Sequence, residues 1–407
     1  MRYMLSVFLV LLVNTLNAQQ FRYDNVQFKA VYAEELCNML REHPDALLLD
    51  VRSMGEFYDT SANRALNLGH FKNAKNITIA ELGKRWREVE AYKNKPVFIY
   101  CSHSQRSRRA AHLLADSGFT SLYNINGGMT QLLKMRHTLP GCFDALYESS
   151  NKYSIVSAAQ VAEQSKKKIP WFIIDLRSDS LYKGISRQER KNAMGRLQPS
   201  ENILYSHLEG NLSRIPQDKP ILLIDEFGGE SPLAADLLVN LGYKDVSVLL
   251  NGMDGWVHFS VNEKQKTGRL NWQAPKDYTL LSADEFLLHV QAHKTTLIDV
   301  RPAEHFLNKS KNYWENIGHI KDAVNIPAEQ IGLSGAPLPA SKDEYVVLYT
   351  FTDQNEVYEA ARQLLNRGYK NVHILYGGIF NLRWASHNLK GKNGLADLVA
   401  DVPAENL

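Results

Sequence analysis

The chain has 407 residues, 44% of them hydrophobic and 22% charged, with a formal net charge of +3. That length accommodates about two to four ordinary domains, and the apolar content is that of folded protein rather than of a disordered chain. Nothing in the small net charge argues for a nucleic-acid binder, which normally shows a concentrated basic face, while a local cluster of donors could still hold a small anion.

The first residues, MRYMLSVFLVLLVNTLNAQQ, place Arg2 ahead of an apolar run from Leu5 to Val13, then a polar stretch ending in Ala18. This is the layout of a secretory signal peptide, too short to span a bilayer. Residues 1–18 are therefore expected to be removed, and the protein to be exported, periplasmic or secreted. No later segment is long and apolar enough to cross a membrane. The three cysteines are Cys37, Cys101 and Cys142. An odd count leaves at least one thiol unpaired in the monomer, and so few cysteines do not make a disulfide scaffold. Cys37 lies in the amphipathic helical pattern AEELCNML, where core packing is expected. Cys142 follows Pro140-Gly141, and an exposed thiol is expected there. A pairing of the two, or a resolving role for Cys142, is the lesser alternative.

Taken along the chain, one unit recurs. LLLDVR at Leu47–Arg52, FIIDLR at Phe172–Arg177 and TLIDVR at Thr296–Arg301 repeat at about 125 residues, a domain-sized period. A second apolar, strand-like run ends at Cys101, Asp225 and Thr350 in turn. Helical patterns follow from Ala110, Ala234 and Ala360, closed by Gly118, Gly242 and Gly368 where a C-cap glycine belongs. Short strands then run into Gly128, Gly252 and Gly378. Alternation of strand and helix predicts an α/β fold, each unit a parallel sheet with helices on both faces. The units are set at 27–139, 153–259 and 278–388. Polar linkers are expected near 148–152 and 261–277, and a loosely packed tail at 389–407.

Together these strings resemble the rhodanese (thiosulfate sulfurtransferase) homology domain. The first unit carries DVRSMGEF at Asp50–Phe57, GHFKNAKNI at Gly69–Ile77, YCSHSQRS at Tyr100–Ser107 and NGGM at Asn126–Met129. The third carries DVRPAEHF, GHIKDAVNIP at Gly318–Pro327 and GGIFNLRW at Gly377–Trp384. The second keeps DLR but shows no recognisable GHI-type segment. The resemblance implies three tandem rhodanese-like domains, each a five-stranded parallel sheet flanked by helices. The cysteine position is Asp225 in the second and Thr350 in the third, which makes both inactive. It also implies that Arg52 forms a structural ion pair with an acid such as Glu56. Asp50 and Arg52 have counterparts in the silent units and so are read as scaffold.

Cys101 falls at the end of a central strand and before a helix, where ligand sites of open α/β sheets lie. Loop amides and a helix N-terminus favour an anion there, so a thiolate nucleophile is expected. The donors expected to hold substrate are Ser102, His103, Ser104, Gln105, Arg106 and Ser107, with Arg106 offering a fork to an oxyanion. For Arg108 and Arg109 the readings are anion steering or exposed helix positions. Only Ser-His-Ser-Gln separates Cys101 from Arg106. Related phosphatases and arsenate reductases carry one residue more, so the shorter loop resembles that of sulfurtransferases. The resemblance implies transfer of a sulfane sulfur from a small anionic, thiosulfate-like donor, through a Cys101 persulfide, to cyanide or a thiol acceptor. No cofactor or metal is implied. The alternative is a persulfide carrier or binding protein with the silent units as docking modules for a partner. In the single-site reading, changes at Asp225 or Thr350 leave turnover within a small factor.

Overall fold

The strand before Cys101, Val97–Tyr100, is buried at every position, as a strand covered on both faces must be. Side chains alternate in direction along a strand, and the packing follows that period. Val97 and Ile99 join Ala110, Ala111 and Leu114 of the helix Gln105–Asp116. Phe98 and Tyr100 pack with Met129, Leu132 and Leu133 of the helix Gly128–Met135 on the other face.

The molecule is seen in a computed structural model that describes residues 27–139, 141–166, 171–262, 272–273 and 277–403. The expected signal peptide, 1–18, lies outside the described residues. Among those described, no helix is long and apolar enough to cross a membrane.

Three five-stranded sheets have one strand order. In the first, Lys29–Val31, Leu122–Ile125, Val97–Tyr100, Leu47–Asp50 and Lys75–Asn76 lie side by side, all parallel. The second sets Ser154–Val156, Val246–Leu249, Ile221–Ile224, Phe172–Asp175 and Glu201–Asn202 in the same sequence. The third does so with Thr279–Leu281, Asn371–Leu375, Tyr345–Tyr349, Thr295–Asp299 and Val324–Asn325. The cysteine position thus ends the central strand in every repeat.

Each repeat is also clipped by the segment that follows it. His70–Phe71 pairs antiparallel with Tyr147–Glu148, Arg196–Leu197 with Trp272–Gln273, and His319–Ile320 with Val399–Ala400. The second repeat therefore does possess the glycine turn that its sequence hides. Gly195 has a positive φ like Gly69 and Gly318, and its carbonyl accepts from Arg177 as theirs accept from Arg52 and Arg301. Only the backbone role persists there; the side chains after the glycine are Arg196 and Leu197. The stretch expected as a linker begins in one of these clips, and Ser149 Oγ and Ser150 N both donate to Asp59 at 2.8 Å. The C-terminal stretch expected to pack loosely is docked instead. Leu395 is buried, and Lys392 pairs with Asp284 at 2.7 Å.

The two outlying cysteines are bonded to each other. Cys37, on the helix Ala33–Glu42, forms a disulfide with Cys142, which starts the helix Cys142–Leu146, across a sequence separation of 105. This corrects the expectation of a core thiol and an exposed thiol. Cys101 is the free cysteine, and it is buried.

Candidate active site

The loop after Cys101 is fixed from below by backbone alone. The carbonyls of Cys101 and Ser102 accept from the amides of Met129 (2.9 Å) and Thr130 (3.1 Å). Gly128 must be glycine for this approach: its φ is +57°, and a Cβ there would lie 2.2 Å from the Cys101 carbonyl oxygen. Gly252 and Gly378 stand against Asp225 and Thr350 in the same way, at 2.5 and 2.3 Å. The recurring glycines thus seat the loop that holds the cysteine position. Ser104 takes a left-handed φ of +82°, and its Oγ accepts from Gly127 N at 2.5 Å.

The second repeat shows what the seat attracts. Asp225 occupies the cysteine position, and its carboxylate accepts from the amides of Gly228, Glu230 (2.5 Å) and Ser231 (2.8 Å). Three converging N–H groups around one anion form a nest of the kind that binds phosphate. The corresponding amides in the first repeat, three, five and six residues past Cys101, belong to Ser104, Arg106 and Ser107. Gly228 matches Ser104 in φ, at +84°. In the third repeat Thr350 donates its hydroxyl to Gln354 Oε1 at 2.8 Å, so that position offers neither an anion nor a free nucleophile.

The six expected donors divide. Ser107 Oγ lies 3.6 Å from Cys101 Sγ and 3.0 Å from the Ser104 carbonyl. Arg106 does not present an open fork. Its Nη1 and Nη2 each lie 2.6 Å from a Glu56 oxygen, and Nη2 also donates to Ser102 Oγ at 2.9 Å. Burial alone would raise the Glu56 pKa, but the hydrogen bonds and charge of Arg106 hold it below the usual carboxylate range. Arg106 is correspondingly raised against its own desolvation, by Glu56 and by the field of the Cys101 sulfur. Glu56 is therefore the partner of Arg106, not of Arg52. Arg52 is spent on Asp50 and the Gly69 carbonyl.

His103 sits with Nδ1 2.9 Å from Ser102 Oγ and Nε2 3.1 Å from Thr130 Oγ1. It is exposed and forms part of the wall of a cavity lined by all three repeats. Surrounding protein, then the charges of Lys134 and Arg106, push its pKa down to about 4, so the ring is neutral at pH 7. Gln105 also lines that cavity, and its Nε2 is buried with no hydrogen-bond partner. Arg108 is neither a steering charge nor an exposed helix residue. It is buried and donates to the His387 carbonyl and Asn388 Oδ1, both at 3.2 Å, tying the Cys101 helix to the third repeat.

One cluster had no signal in the sequence. Asp254 and His258, a helical turn apart in the second repeat, meet Asp353 of the third, with one ligand-type atom of each within 4.8 Å of the others. Tyr376 donates to Asp254 at 3.0 Å, and Arg190 lies 3.8 Å from it. Burial and the neighbouring Asp254 push Asp353 up to about 7 from 3.8. Between those values the unfolded chain ionises while the folded chain keeps the proton. Stability is therefore expected to fall as pH rises from about 4 to about 7 and to level off above. Asp353→Asn removes that slope, and urea midpoints across this range should show the variant to be the more stable protein at pH 8. Parallel midpoint curves for variant and parent would refute it.

Comparisons with known proteins bear on this site. The family model of the rhodanese-like domain matches residues 32–135, 157–259 and 282–384. An uncharacterised protein of Bacillus subtilis, YqhL, is 36% identical over 104 residues, which are 24% of this chain and 74% of that protein. The tRNA uridine(34) hydroxylase of Cronobacter sakazakii is 29% identical over 98 residues, 23% of this chain and only 26% of the hydroxylase. Among solved structures, a thiosulfate sulfurtransferase from Pseudomonas aeruginosa aligns over 86% of this chain and 66% of its own at 16% identity, with a TM-score of 0.23. A rhodanese-related protein from Thermoplasma volcanium aligns over 27% of this chain and 94% of its own at 25% identity, with a TM-score of 0.22.

Proposed function

From the premise that the chain belongs to the rhodanese-like family, with three such domains in tandem, we propose that it is a sulfurtransferase with one working site, at Cys101. The observation that carries this reading is the carboxylate of Asp225 held by three loop amides at the position that Cys101 occupies in the first repeat. A seat that favours a carboxylate favours a thiolate, and equally the anionic persulfide formed from it. The donor is a small sulfane-sulfur anion such as thiosulfate. Attack of the Cys101 thiolate on its outer sulfur gives the persulfide and releases sulfite, and a thiophilic acceptor then removes the sulfur. Such double displacement gives ping-pong kinetics. Ser107 and the amides of Ser104, Arg106 and Ser107 hold the sulfur. Glu56 keeps Arg106 at the loop, where its charge favours the anion.

Export to the periplasm or beyond is part of the proposal. It is supported by the leader-like first residues and by the Cys37–Cys142 disulfide, since such bonds persist in oxidising compartments. The burial of Cys101 supports a second reading, in which the protein stores or carries a persulfide with little turnover. Incubation of the purified protein with thiosulfate followed by intact-mass measurement tests the common step. One added sulfur, lost on reduction, is expected. An unchanged mass would end both readings, and thiosulfate:cyanide turnover separates them.

A further inference from the structure

Asp254, His258 and Asp353 are brought together by the two repeats that lack a thiol. Asp353 stands three residues past Thr350, where the first repeat has Ser104 three past Cys101. The two do the same work for the backbone: Ser104 Oγ accepts from Gly127 N, and Asp353 Oδ1 from Gly377 N, both at 2.5 Å. One oxygen suffices for that bond, as Ser104 shows. Tyr358 also donates to Oδ1, at 3.4 Å. The second oxygen of this buried carboxylate is therefore surplus to the loop.

That surplus meets the second repeat. Asp254 and His258 lie two and six residues past Gly252 on the helix Gly252–Asn262, where the first repeat has Thr130 and Lys134 past Gly128. Four residues apart, they share one helix face. Asp254 Oδ1 accepts from the Tyr376 hydroxyl at 3.0 Å and is approached by Arg190 at 3.8 Å. Asp254 Oδ2 faces His258 Nε2 at 3.7 Å, longer than a hydrogen bond. Among the described residues, neither Arg190 nor another cation forms an ion pair with Asp353. One ligand-type atom from each of the three residues lies within 4.8 Å of the other two. Atoms bound tetrahedrally to zinc at about 2.1 Å stand about 3.4 Å apart, so small side-chain rotations close the set.

We propose that Asp254, His258 and Asp353 form a zinc site that pins the second repeat to the third. An imidazole among the ligands selects a borderline transition ion over magnesium or calcium, which take oxygen ligands, and carboxylates in place of sulfur disfavour Cu(I). Two carboxylates and a neutral imidazole cancel the charge of one divalent ion, and buried carboxylates gain the counter-charge that burial demands. Three protein ligands leave a fourth position to water. Tyr376, from the third repeat, fixes the orientation of Asp254 through its hydroxyl. The pH-dependent loss of stability at Asp353 is a property of the metal-free protein, since the ion displaces the carboxyl proton. The silent repeats then hold a site of their own, independent of sulfur chemistry at Cys101.

The test strips the full-length protein with a chelator, removes the chelator and titrates with Zn2+ alone. One ion should bind per chain, and the thermal midpoint should rise with zinc concentration. Asp353→Ser restores the residue of the first repeat, whose hydroxyl can still accept from Gly377 N, so the loop is kept. That variant and His258→Gln should each weaken zinc binding about a hundredfold or more, since contacts beyond the ligands alone are worth about 10–100-fold. Cys101→Ser should bind zinc as the parent does. No zinc bound by the parent, or unchanged affinity in Asp353→Ser or His258→Gln, overturns the proposal. X-ray absorption of the parent with one ion bound decides the matter without any variant. Nitrogen and oxygen ligands with a single imidazole are expected. A sulfur ligand would place the ion at Cys101, and two or more imidazoles would place it elsewhere, as at the neighbouring rings of His289, His293 and His373; either result overturns the proposal.

Discussion

Replacing Cys101 by serine is expected to abolish sulfur uptake and to lower thiosulfate:cyanide turnover by about a thousandfold or more. The change is nearly isosteric, and the hydroxyl can keep the contact with Ser107 Oγ, 3.6 Å from the sulfur. Packing around the end of the Val97–Tyr100 strand is therefore retained, and the thermal midpoint should move little. What is lost is the nucleophile. A serine hydroxyl stays protonated near neutrality, and the loop amides cannot make up that difference. Nor can another thiol take over, because Cys37 and Cys142 are joined to each other. Intact mass after thiosulfate and the cyanide assay read the result. A serine variant that still gained a sulfur would mean that the reactive group lies elsewhere. Thr350→Ala, by contrast, should leave sulfur uptake within a small factor, since the Thr350 hydroxyl serves Gln354.

The cysteine loop at the end of the central strand was legible because its determinants are local. A strand, a cysteine and a short polar loop are contiguous, and the glycines that seat the loop recur at fixed spacing in each repeat. The α/β class and the three-fold repetition followed from the same strings. What the sequence hid depends on distance along the chain. Arg106 finds Glu56, fifty residues before it. Arg108 lies in a seam with His387, 279 residues away. The disulfide spans 105 residues with no spacing rule to announce it. The turn at Gly195 was hidden for another reason: its requirement is on the backbone, since a Cβ there would meet the Gln273 carbonyl at 2.1 Å, and Arg196 and Leu197 follow it in place of the side chains that mark the other two turns. One local signal for Glu56 was available. Ser53 and Glu56 stand at capping-box spacing and do form that box, which presents the carboxylate at the start of a helix.

Replacing Arg52 by methionine should cost about 3–5 kcal/mol of unfolding free energy, the range for stranding one member of a buried ion pair. Both partners are fully buried, with Nη2 2.7 Å from Asp50 Oδ2 and Nε within 3.1 Å of both carboxylate oxygens. Without Arg52 that carboxylate keeps its burial and loses its counter-charge, and the Gly69 carbonyl loses a donor at 2.7 Å. The damage lies directly beneath the Cys101 loop. Asp50 is in register with Tyr100, the guanidinium lies over the Tyr100 ring, and the Tyr100 hydroxyl accepts from Phe71 N at 3.2 Å. The same pair recurs as Asp175–Arg177 and Asp299–Arg301, beneath positions that carry no thiol, which marks its work as holding the strand end to the glycine turn. Denaturant unfolding of Arg52→Met measures the loss, and adding Asp50→Leu should recover at least about half of it, because an apolar pair of similar volume leaves no buried charge unpaired. A double variant no more stable than the single one would locate the cost in the lost Gly69 contact and in the backbone amide of position 52, which donates to Asp50 Oδ1 at 2.9 Å, and not in the stranded carboxylate.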